Sequence, residues 1–123
     1  MRASPHLFCE EANLLWNIRV NTPHNTFRAF LYRAYFGLSS YTTAVAWNRL
    51  DDLGIIPQEL LPKHLLWTLM WLKVYNTEPV MCNMIGTSDK TFCKYRDICL
   101  NCLSKLGYVS KYYMKTVVTF VNE

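Results

Sequence analysis

The residues with chemical potential in this chain are a basic cluster, a set of thiols and scattered acids. Lys90, Thr91, Lys94, Arg96, Asn101 and Lys105 follow Ser88 within one short stretch. Ammonium, guanidinium, hydroxyl and carboxamide groups in such a run suit phosphate oxygens and base edges rather than bond breaking. From Thr87 to Lys115 six basic residues face only Asp89 and Asp97, so the basic bias is concentrated there. Five cysteines, Cys9, Cys82, Cys93, Cys99 and Cys102, cannot all pair within one chain. The start MRASPHLFCEEANLLW has no uninterrupted apolar export segment, so reduced thiols of an intracellular protein are expected.

Cys99-Leu-Asn-Cys102 raises zinc and redox readings. Zinc usually takes a second such pair or two histidines, and Cys9, Cys82, Cys93 and His64 lack ligand spacing. A redox pair would want its first thiol at a helix amino end. Both cysteines fall instead on an apolar stripe with Phe92 and Leu103, so they read as buried structural thiols. His64, beside Trp67, reads as an ordinary, partly buried histidine. Four glycines form no phosphate-cradling loop, and no cofactor or metal is expected.

The elements that must hold the basic cluster are legible from periodicity. Starting at Pro62, PKHLLWTLMWLKVY is apolar around most of a helical circumference, as for a helix at the centre of a small bundle. TEPVMCNMI is long enough for a short helix, and Gly86-Thr87-Ser88 makes a tight turn before DKTFCKYRDICLNCLSKL. Gly86 suits the left-handed conformation past a helix end, and Ser88 can accept from the N–H of Lys90 or Thr91. Asp89 suits the first turn, where the helix dipole favours an anion. At about 100° per residue, Phe92, Tyr95, Cys99, Cys102, Leu103 and Leu106 share one stripe, expected to pack on the two preceding helices. Lys90, Lys94, Asp97 and Asn101 lie nearly opposite, and Arg96 falls near the edge of the core. A short turn with these faces is the pattern of a helix-turn-helix, whose second helix could enter a major groove; the alternative is the solvated outer face that most amphipathic helices have.

Upstream, Ser4-Pro5 should start a helix carrying Phe8, Ala12, Leu15 and Trp16 on one side. After a connector at Asn21 to Asn25, a second helix is expected from Thr26 to Phe36, presenting Phe27, Phe30, Leu31 and Ala34 to the core and ending at Gly37. Ser39 or Ser40 should cap a third helix with Ala44, Trp47 and Leu50 inward. Its glycine, spacer and serine echo the later turn, but with Arg49 its only basic residue it reads as packing support. Lys63 and Lys73, near the ends of the central helix, either touch phosphates or point into water. Tyr108 to Val121 is rich in tyrosine, valine and threonine and reads as strand more than helix. A lone strand must find a pairing edge; a short helix completing the bundle is the alternative left open.

A family resemblance runs through these same residues. Pro62-Lys63-His64-Leu65-Leu66-Trp67, Leu72-Lys73-Val74-Tyr75, Thr77-Glu78, and Asp89-Lys90-Thr91-Phe92 with Lys94 resemble the segment preceding the catalytic domain in PIF/Harbinger-type DDE transposases. Tyr35-Phe36-Gly37 with Trp47 to Leu50 is similar to the earlier part of that region, so the match covers about Phe27 to Leu106. It implies a nuclear, DNA-binding helix-turn-helix whose site is element-end duplex DNA. Pro79 departs from the family pattern, and Cys93 stands where arginine is expected, which removes one positive charge. In the family, a separate domain holds two metals with three carboxylates. Of Glu10, Glu11, Asp51, Asp52, Glu59, Glu78, Asp89, Asp97 and Glu123, most lie in helix starts, helix ends or loops, and the one strand-like stretch carries just Glu123 at its end, so the catalytic triad is expected to be absent. The resemblance places that domain after Glu123, and the strand-like tail then reads as its stub.

At 123 residues with a net charge of +4, the chain suits one compact domain, too small to add a catalytic one. The charge permits an anionic partner without demanding one. Leu65 to Leu72, the longest apolar run, is too short to span a bilayer. The expected fold is all-α, five or six helices with a C-terminal helix-turn-helix and a short extended tail. Residues 1–61 would form the support, 62–107 the helix-turn-helix region and 108–123 the tail. The expected function is double-stranded DNA binding without catalysis, through Ser88, Lys90, Thr91, Lys94, Arg96, Asn101 and Lys105. The alternative is a protein-interaction or dimerisation module derived from a transposase, which exposed apolar surface around Trp67, Trp71 or Tyr112-Tyr113 would favour. A homo-oligomer or partner protein is compatible with either.

Overall fold

Capping residues set the helix boundaries. In the computed structural model, which describes residues 2–20, 29–74 and 77–105, the Ser4 hydroxyl accepts from Leu7 N–H at 3.1 Å and opens α1, Pro5–Val20. The next helix, α2, spans Ala29–Phe36 and ends at Gly37, whose φ of 79° would strain any residue with a Cβ. Ser39, rather than Ser40, caps α3, Ser40–Asp52, accepting from Thr42 N–H at 3.1 Å. Pro62 opens α4, Pro62–Val74, with α5, Glu78–Ile85, and α6, Asp89–Leu103, completing six helices and no strand among the described residues. The expected strand-like tail and the connector at Asn21 to Asn25 lie outside these residues.

The central helix is α4. It is buried from Pro62 and His64 through Leu72 with only Lys63 and Trp71 interrupting, and it packs against α1, α2 and α6. This is why its sequence shows no polar face: three neighbours cover it from different sides. Phe8 and Ala12 of α1 are fully buried as expected, and the Phe8 ring meets Trp47 of α3 edge-on with centroids 6.4 Å apart. Leu15 is partly buried against the same core. Ahead of α1, Ala3 N–H donates to Asn48 Oδ1 at 2.8 Å, and Asn48 Nδ2 donates back to the Ala3 carbonyl at 2.9 Å. This reciprocal pair fixes the start of the chain on α3.

Among the described side chains of α2, Tyr32 and Phe36 are buried whereas Ala34, expected in the core, is exposed; the side chains of Phe27, Phe30 and Leu31 lie outside those described. The reason is a polar handle. The Tyr32 hydroxyl donates to Thr43 Oγ1 at 3.0 Å in the buried α2–α3 junction, and Thr43 donates on to the Ser39 carbonyl at 2.8 Å. A tyrosine satisfied this way is a comfortable core residue. Burial also holds its phenol well above the ordinary tyrosine range.

Candidate nucleic-acid interface

The turn between α5 and α6 is built from local rules. Gly86 adopts φ 82° and ψ 36°, and its N–H closes α5 on the Cys82 carbonyl at 2.8 Å. Thr87 N–H reaches the same carbonyl at 3.1 Å. Ser88 then swings to an extended conformation, and its Oγ accepts from Thr91 N–H at 3.2 Å while donating to Thr91 Oγ1 at 2.9 Å. Of the two partners considered from sequence, Thr91 is the one bonded. At the start of α5, Thr77 makes no such side-chain bond, and Pro79 has no N–H to offer.

Each face of α6 holds a distinct set of side chains. Phe92, Cys99, Cys102 and Leu103 are buried against α4 and α5, and Tyr95 is partly buried; Leu106 lies outside the described residues. The Tyr95 ring lies flat on His64 of α4, with centroids 3.7 Å apart and planes 5° from parallel, and Trp67 closes on it edge-first at 6.3 Å. His64 Nδ1 accepts from Leu61 N–H at 2.9 Å. Burial, helped by the neighbouring Lys63 charge, pushes the imidazole down to about 4, so it is neutral at pH 7. The stack therefore fixes the rotation of α6 about its axis. His64 is buried in this stack, more deeply than the partly buried histidine read from sequence.

On the opposite face Lys90, Lys94, Asp97 and Asn101 are all exposed, with Lys105 just past the helix end. Lys90 and Asn101 have no side-chain partner among the described residues, and the Lys105 charge acts on the Cys102 thiol. Lys94 Nζ is 3.8 Å from Glu59 Oε2, an exposed pair, and 5.3 Å from the Tyr95 ring centre. Glu59 arrives from the loop before α4; nothing in the spacing of charges along the chain signals that approach. Lys63 lies over the Trp67 ring at 5.9 Å. Lys73, the other lysine near the ends of α4, is exposed.

Arg96 does not join the exposed set. Its side chain is 13% exposed, with the guanidinium 4.8 Å from the Trp71 ring centre, 5.6 Å from Phe92 and 3.1 Å from Asp97 Oδ1. A planar, weakly hydrated cation is well suited to cover an indole. A phosphate contact by Arg96 would have to break this packing. Trp67 is buried and Trp71 lies under Arg96, so neither presents the open apolar surface considered above, and Tyr112-Tyr113 lie outside the described residues.

Of the three thiols of α6, Cys93 is partly buried while Cys99 and Cys102 are core groups. Cys99 is fully buried, and desolvation pushes its thiol up to about 12. Cys102 donates weakly to the Ile55 carbonyl at 3.6 Å, and its thiol is also raised by burial. Both stay protonated at neutral pH, the opposite of what a thiolate ligand or nucleophile requires. Among the described residues no three His, Cys, Asp or Glu side chains come together as a metal site. No described helix is long and apolar enough to cross a membrane. No protein-family model, curated protein or solved structure matches the chain.

Proposed function

We propose that this chain binds double-stranded DNA through α5, the Gly86–Ser88 turn and α6, with α6 in the major groove. The observation that carries the reading is the sorting of α6. One face is locked to the core by the Tyr95–His64 stack, while Lys90, Lys94 and Asn101 line the other and Lys105 extends it. Lys90, Thr91 and Lys94 near the amino end lie closest to base edges, with Asn101 and Lys105 on the backbone side. Thr91 accepts from Ser88 and still has its own hydroxyl proton to donate. At the start of α5, the N–H groups of Glu78 and Val80 are available to a phosphate, since Thr77 does not cap them with its side chain. The resemblance to transposase helix-turn-helix regions supports element-end DNA as the target and the nucleus as the setting. In this reading the chain binds without cutting.

Fluorescence anisotropy with a mixed-sequence duplex at several salt concentrations tests the proposal. Affinity should fall steeply with salt, and Lys94→Ala should weaken it and flatten the log–log slope by about 0.9. A well-folded sample that fails to bind at low salt rejects DNA binding; unchanged affinity in the variant rejects this docking.

A further inference from the structure

Glu59 and Lys94 lie far apart in the sequence and meet at the surface, with Oε2 and Nζ 3.8 Å from each other. One buried residue holds both of their elements. Leu61 N–H donates to His64 Nδ1 at 2.9 Å, which ties the loop before α4 to that helix. The same imidazole lies flat on Tyr95, the chain neighbour of Lys94, with centroids 3.7 Å apart. Within the loop, Leu60 N–H closes a turn on the Pro57 carbonyl at 3.1 Å, and the Leu60 side chain is buried. Glu59 is therefore an exposed residue of a pinned turn, and its carboxylate stands beside a lysine of the open face of α6.

Both side chains are about half exposed, 50% for Glu59 and 56% for Lys94. An exposed ion pair at this distance contributes little to stability, so it opens toward a ligand at small cost. For phosphate binding alone Glu59 is counterproductive, since its charge offsets a cation of the face and repels the DNA backbone. What a carboxylate supplies next to an ammonium is an acceptor beside a donor. The major-groove edge of a G·C pair presents the complement: guanine offers O6 and N7 as acceptors, and cytosine beside it offers the N4 amino group as a donor.

We propose that Lys94 and Glu59 together read one G·C base pair, Lys94 donating to guanine O6 and N7 while Glu59 accepts from cytosine N4–H. This inference rests on the DNA-binding reading above and adds to it a base preference and a specificity residue from outside the α5–α6 unit. A T·A pair offers the same two kinds of group in thymine O4 and the adenine N6 amino group. It gives the lysine one acceptor there instead of two, and it sets the thymine methyl against a charged pair. Turning either base pair round opposes donor to donor and acceptor to acceptor, which rejects it.

The test is selection from a randomised duplex pool by the full chain at low salt, with sequencing of the bound fraction. The enriched motif should contain a fixed G·C pair that relaxes in both Glu59→Ala and Lys94→Ala, the remaining positions staying as they are. Anisotropy titrations on that duplex, and on its copy with the pair replaced by T·A, should show about tenfold discrimination in the parent chain and about twofold or less in Glu59→Ala. Having lost a negative charge, Glu59→Ala should also bind every duplex more tightly. An intact motif in Glu59→Ala, even with a uniform gain in affinity, makes Glu59 no more than a repulsive charge and overturns the proposal. Relaxation at different positions in the two variants, or a fixed T·A pair in place of G·C, overturns it as well. Binding without any enriched pair overturns it while leaving DNA binding standing, and no binding at low salt overturns both.

Discussion

Lys94 and Arg96 sit two residues apart and carry the same charge, yet their surroundings give them opposite roles. Lys94 reaches into solvent with one long, exposed ion pair, of a kind worth little to stability. Arg96 covers Trp71 and Phe92 with its guanidinium held by Asp97. Arg96→Ala should therefore lower unfolding stability by about 1–2 kcal/mol in urea titrations, with duplex affinity per folded molecule little changed. Lys94→Ala should do the reverse, changing stability by less than about 0.5 kcal/mol while weakening DNA binding. The helical wheel placed Arg96 at the core edge, which was right as far as one helix can tell. Which ring it covers depends on where α4 crosses α6, and no residue of α6 encodes that. His64 gives a pH signature at the same scale. Its folded value of about 4 lies below its ordinary 6.5, so protons bind the unfolded chain preferentially. Its contribution is whole above pH 6.5 and is lost as pH falls from 6.5 toward 4, on the order of 2 kcal/mol. Urea midpoints at pH 7, 5 and 4 should show a fall in the parent chain that is correspondingly smaller in His64→Gln.

At the scale of elements, the α5–α6 turn was the most legible feature, because its chemistry is local. A glycine at a left-handed position and a serine two residues later specify a stop and a start wherever they occur, and Gly37 with Ser39 repeats the device before α3. Ser88→Ala should cost about 1 kcal/mol by removing the acceptor for Thr91 N–H, and Gly86→Ala about 1 kcal/mol through its φ of 82°. Thermal melts followed by circular dichroism would resolve both, and the two losses should add only approximately, since both act on one turn. What the sequence left hidden was non-local. Ala34 looked like a core position because it is small and apolar, whereas the core is filled by Tyr32, whose hydroxyl finds Thr43 on the next helix. The far end of α6 shows a further limit: helix stops at Leu103, where Ser104 Oγ donates to the Asn101 carbonyl at 2.7 Å, ahead of the stop signal at Gly107.

For the whole molecule the decisive fact is that α4 is shared. It packs against α1, α2 and α6, so the exposed face of α6, proposed above to meet DNA, is mounted on the same helix that closes the support region. The boundary between support and reading unit drawn at residue 62 separates roles in the sequence, while the packing runs across it. A large-to-small change in α4 should therefore loosen everything at once. Leu69 is 1% exposed, and Leu69→Ala should cost about 2–5 kcal/mol, the range for a buried leucine that leaves a cavity. If the described helices form one cooperative unit, tryptophan fluorescence and far-ultraviolet circular dichroism should give superimposable urea transitions in the parent chain and, shifted together to lower urea, in the variant. DNA affinity should then fall only as the folded fraction falls, with the salt slope intact, because no phosphate contact has been touched. Two separated transitions, or a variant that keeps its helices yet changes its salt slope, would show that α5 and α6 hold their arrangement without α4 and that the reading unit is a domain of its own.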